Sequence, residues 1–104
     1  MMLEPRLRML LSPEEGALLG RLADHPQGVT RFTPAAPGRS GYQTFNADVV
    51  WPLEELKRRG FVAIIKRAAA NTGGAETYWN AIEAGLTPEG REAAAGRRPR
   101  NSLG

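Results

Sequence analysis

The chain has 104 residues, 41% of them hydrophobic and 24% charged, which suits one domain with a modest core and excludes a wholly disordered polymer. A formal charge of +3 and a pI near 10.0 favour an acidic partner such as a nucleic-acid backbone. The absence of cysteine excludes disulfides and thiolate metal sites. With no basic-then-apolar leader at Met1–Arg6 and no long uncharged apolar run, the expectation is a cytoplasmic protein without a membrane segment.

In chain order, Leu3, Leu7, Leu10 and Leu11 repeat at helical spacing and predict a short helix or arm over residues 4–11, packed on its own domain or paired with a second subunit. Ser12-Pro13-Glu14-Glu15 is a helix start: Ser12 caps, Pro13 needs no amide partner in the first turn, and Glu15 completes a capping box. Ala17, Leu18, Leu19 and Leu22 supply the buried stripe, and Asp24-His25-Pro26-Gln27-Gly28 the stop, so a helix is predicted over 13–24. Val29–Phe32 reads as a short strand. Pro34, Pro37, Gly38 and Gly41 then predict a loop, with Pro37 interrupting any turn that Thr33-Pro34 begins.

A second main helix is predicted over 46–59, with Asn46 or Asp48 as its cap, Val49, Leu53 and Leu56 on its apolar face, Lys57-Arg58-Arg59 at its negative end and Gly60 as its stop. Pro52 belongs in its first turn or at a kink. Residues 61–67 and 77–82 have strand composition and predict a hairpin whose long polar tip includes Asn71-Thr72-Gly73-Gly74. Thr87-Pro88-Glu89 opens a last helix to about Ala95. Residues 1–96 thus form one domain, and residues 97–104 read as a basic flexible tail.

This order of helix, short strand, helix, hairpin and helix resembles the winged helix-turn-helix family, and two stretches carry the resemblance. Leu53-Glu54-Glu55-Leu56-Lys57-Arg58-Arg59-Gly60-Phe61-Val62 is similar to the end of a recognition helix turning into the first wing strand. Leu86-Thr87-Pro88-Glu89-Gly90-Arg91 is similar to the segment after the wing in MarR-like and PadR-like regulators. The resemblance implies a small α+β winged helix-turn-helix domain, with helices plus a two- or three-stranded antiparallel sheet. It further implies a reader helix near residues 46–59 in a major groove and a wing near 67–76 on phosphates or a minor groove. The chain departs from the family at residues 33–45, rich in Pro and Gly where a second bracing helix belongs, which implies either a remodelled reader or a winged helix used for protein contacts.

If duplex DNA is the ligand, donors are needed at the exposed start of the reader, where Arg39, Ser40, Tyr42, Gln43, Thr44 and Asn46 stand. Arg39 and Gln43 are the preferred base readers, since Arg binds guanine and Gln binds adenine through two bonds each; a solvated loop is the plain alternative. Lys57, Arg58, Arg59, Lys66 and Arg67, together with Thr72 at the hairpin tip, are candidate phosphate contacts, as are Arg97, Arg98 and Arg100 in the tail. A basic helix end also complements the helix dipole, and a basic tail also aids solubility. Trp51, Tyr78 and Trp79 suit base stacking or a partner pocket, but more often such aromatics are core.

His25 stands alone among turn residues, and Glu14-Glu15 and Glu54-Glu55 are adjacent pairs that diverge on a helix. No catalytic site, metal site or cofactor is therefore expected. The expected function is duplex-DNA binding as a transcriptional regulator, as a monomer or as a homodimer through residues 3–11. The alternative is a protein-interaction module or accessory factor that binds no DNA.

Overall fold

Ser12 opens the first helix as its sequence predicts. Its Oγ accepts the Glu15 amide at 3.0 Å, and Glu15 Oε1 accepts the Ser12 amide at 3.0 Å, so two donors at the helix start are satisfied reciprocally. The computed structural model describes residues 11–70 and 77–97. Helix α1 (Pro13–Ala23) buries Leu18, Leu19 and Leu22, whereas Ala17, expected on the same stripe, is exposed. Gly28, at φ +69°, turns the chain into strand β1 (Val29–Phe32). Of the predicted N-terminal arm only Leu11 is described, packed half-buried against the core; the dimer contact assigned to residues 3–11 otherwise lies outside the described residues.

The Pro/Gly segment departs from its predicted loop. Residues 33–37 suffice to connect β1 to α2 (Gly38–Phe45), which runs unbroken through a π-helical turn (Asn46–Val50) into α3 (Trp51–Arg58). Pro34 and Pro37 do not interrupt this helix because both precede it; Pro37 occupies the cap position, where its missing amide costs nothing. Gly41 is a poor helix former, yet it is buried where a Cβ would drive into the Ala36 carbonyl, so close packing of the loop on the helix overrides propensity. Neither Asn46 nor Asp48 is a cap. Asn46 has helical backbone, φ −59° and ψ −47°, inside the continuous helix.

The wide turn has a local cause. Pro52 offers no amide hydrogen, and its ring would collide with the Asp48 carbonyl in regular α geometry. One extra residue is taken up just before it, with the Trp51 amide donating to the Asn46 carbonyl five residues back. Pro52 then sits in the first turn of α3, where prolines are tolerated. Among the described residues no separate helix lies between β1 and this one, so a single helix from Gly38 to Arg58 stands where the resemblance implied two.

Strands β2 (Val62–Ala70) and β3 (Tyr78–Leu86) are longer than the sequence predicts and pair antiparallel, with irregularities between Ile64 and Lys66 and between Ala68 and Ala69. β1 pairs on the other side of β3, Phe32 opposite Ile82, which gives the sheet order β1-β3-β2. Helix α4 (Pro88–Arg97) closes the described chain. Among the described residues the architecture is a small α+β domain, three helices, with Gly38–Arg58 counted as one, and a three-stranded antiparallel sheet, compatible with a winged helix-like fold. Leu19, Leu22, Phe32, Leu53, Leu56 and Ile82 fill its centre, each contributing about 1.5–3 kcal/mol through burial.

The two stretches that carry the family resemblance meet in space. Gly60, at φ +85°, ends α3, with its amide on the Lys57 carbonyl and the Phe61 amide on the Leu56 carbonyl at 2.9 Å. Thr87 Oγ1 donates to the Gly60 carbonyl at 2.6 Å and accepts the Gly90 amide at 3.0 Å, while the Thr87 amide donates to Phe61. Gly90 lies so close to the Phe61 carbonyl that no side chain fits. Arg91 reaches the Gln27 carbonyl at 3.3 Å and lies over Gly28. Leu86 to Arg91 is thus a fastening: it ties the end of the hairpin to the turn that ends α3 and to the turn before β1.

Candidate nucleic-acid interface

The outer surface of the long helix is set by what its inner surface must bury. Gly41, Phe45, Asn46, Val50, Leu53 and Leu56 face the domain, which leaves Arg39, Ser40, Gln43, Thr44, Ala47, Asp48, Trp51, Lys57 and Arg58 exposed. In a regular α-helix each step of four residues overshoots one turn by about 40°, so Arg39, Gln43, Ala47, Trp51 and Glu55 would wind through about 160°. The additional residue of the π-turn rotates everything beyond it back by about 100°, so Glu55 ends about 60° from Arg39 and all five stay within about 80°. One ridge results, polar at its start and apolar in its middle.

Of the six residues assigned to the start of the reader, four are presented to solvent: Arg39, Ser40, Gln43 and Thr44. The other two brace the helix. Tyr42 is half-buried; its hydroxyl donates to Asn80 Oδ1 at 3.0 Å, and its ring stacks on Tyr78 with centroids 5.7 Å apart. Asn46 is 2% exposed, so it is not placed to read a base. Its Nδ2 donates to the Thr77 carbonyl at 3.1 Å, while its buried Oδ1 finds no hydrogen-bond partner among the described residues. Asn80 Nδ2 reaches the Ala69 carbonyl at 3.4 Å, extending the Tyr42 contact across both strands of the hairpin. These contacts tie the start of the long helix to the hairpin.

The assigned phosphate contacts divide in the same way. Lys57 and Lys66 are exposed and make no ion pair with another described residue. They border a shallow groove of about 350 Å³ between α3 and β2, lined also by Ile64, Ile65 and Arg67. Arg67 is paired with Glu54 and lies over the Trp79 ring at 5.7 Å, tying the hairpin to α3. Arg58 is paired with Glu55; its hydrogen bond holds the Glu55 carboxyl below its ordinary pKa, and the carboxylate raises that of Arg58. Arg59 turns inward to Glu15 at 3.5 Å, beneath the capping box of α1. Arg97 is the last residue of α4, and its side chain, with Thr72, Arg98 and Arg100, lies outside the described residues.

Trp51 reverses its expectation as a core aromatic: it is 56% exposed, beside a groove of about 500 Å³ lined by Glu54, Glu55, Lys57 and Arg58. Tyr78 is buried and Trp79 half-buried, as core aromatics are. The signal for Trp51 was in its spacing, two residues from Leu53, since positions two apart do not share a helix face. The chain matches no family model, no curated protein and no solved structure. His25 is exposed, and among the described residues no group of His, Asp and Glu could hold a metal ion and no helix is long and apolar enough to cross a membrane.

Proposed function

We propose that this domain binds duplex DNA as a transcriptional regulator, laying the exposed ridge of its long helix in the major groove and the base of the β2–β3 hairpin along the backbone. The observation that carries this reading is the pairing of Arg39 with Gln43, one turn apart and both exposed, on a helix braced by Tyr42 and Asn80. Arg offers two donors to guanine, and Gln a donor and an acceptor to adenine. A step of four residues rises about 6 Å, close to the spacing of two base pairs, so the two side chains address positions about two pairs apart. Lys57 and Lys66 supply positive charge beside the ridge.

Selection from a random duplex library at two salt concentrations tests the reading. Enrichment of one motif, lost in Arg39→Ala/Gln43→Ala while the thermal midpoint holds, is the expected result. Absence of salt-sensitive binding to any duplex would overturn it. The second reading, a protein-interaction module, is favoured by the exposed Trp51 among mixed charges, a combination common at protein hot spots. Such an interface would respond weakly to salt.

A further inference from the structure

Ala47 and Trp51 follow Arg39 and Gln43 along the same ridge, at the same step of four residues. Both are exposed and neither belongs to the core. Glu54 and Glu55, which line the groove beside Trp51, are paired with Arg67 and Arg58, and Asp48, exposed next to Ala47, borders a different groove against α1 beside Arg21, which leaves the Trp51 groove nearly neutral. A neutral apolar stretch has nothing to offer a phosphate. Within the major groove the apolar feature that identifies a base is the C5-methyl group, which thymine carries and which alanine and aromatic side chains contact.

We infer that Ala47 and Trp51 form the apolar end of the reading ridge and recognise pyrimidine C5-methyl groups, those of thymine foremost. The inference rests on the duplex-reading proposal above and adds its base chemistry: a polar half-site read by Arg39 and Gln43, continued by thymine two to four base pairs further along. The π-turn is what makes this possible, because it returns Trp51 to the ridge that Arg39 and Gln43 begin.

The test uses the duplex recovered from the library selection, prepared once with thymine and once with uracil, which lacks the methyl group and keeps the hydrogen-bonding edge. Affinity of the wild-type chain is expected to fall about fourfold for each contacted methyl removed. Trp51→Ala should keep the wild-type thermal midpoint and the wild-type salt dependence, bind the thymine duplex more weakly, and distinguish it less from the uracil duplex. Equal wild-type affinity for both duplexes, or a selected motif without thymine, would overturn the inference. If the Arg39→Ala/Gln43→Ala control still loses that motif, duplex reading survives. Failure to bind any duplex overturns both readings and leaves Trp51 as a protein contact.

Discussion

Thr87 caps α4, bonds Gly60 through its hydroxyl and bonds Phe61 through its amide, so one side chain joins two turns that are far apart in sequence. Thr87→Ala should lower stability by about 1–2 kcal/mol in urea denaturation, and Thr87→Ser, which keeps the hydroxyl, by clearly less. Gly90→Ala should cost about 1–3 kcal/mol, because the added methyl meets the fixed Phe61 carbonyl instead of open space. Glu55 makes the opposite case. It is exposed, its pair with Arg58 is screened by water, and Glu55→Gln should leave the denaturation midpoint almost unmoved at neutral pH. Because its folded carboxyl lies below the ordinary value, whatever the pair contributes is present at neutral pH and is lost as the pH falls through the carboxylate range.

Among the elements, α1 was readable because all its signals are local: cap, proline, acidic first turn and apolar stripe lie within a dozen residues. The hairpin and α4 were readable for the same reason, though each strand extends beyond its predicted end. The long helix was not, at its start. Gly38, Gly41 and two nearby prolines argue for a loop on propensity, and what decides otherwise is packing of Gly41 on Ala36 together with Tyr42 and Asn46 bonding to Asn80 and Thr77. Gly41→Ala tests this. In an open helix that change gains about 1 kcal/mol, whereas here the methyl strikes the Ala36 carbonyl, so the thermal midpoint should fall.

At the scale of the molecule, three described cations stand exposed without an ion pair to another described residue along the helix and hairpin: Arg39, Lys57 and Lys66. If each neutralises one phosphate, the logarithm of duplex affinity should fall with the logarithm of salt at a slope of about −3, and Lys66→Ala should reduce that slope by about one. Titration at four or more salt concentrations measures both. A slope that Lys66→Ala leaves unchanged would remove the hairpin base from the DNA footprint.

Sequence by itself determined the α+β class, the element order and the apolar stripes, because helical and strand periodicities and caps act over a few residues. It also named Arg39 and Gln43 as exposed donors, although it placed them before a helix and not on one. Only the tertiary structure decided that Gly38–Phe45 is helical and continues into Trp51–Arg58, that Asn46 is buried and that Tyr42 is a brace. Those outcomes depend on partners such as Thr77 and Asn80, some 30 to 40 residues away, and on a π-turn that shifts which side chains share a face. Contacts at that distance leave no periodic trace in a single chain, so only the folded packing could settle them.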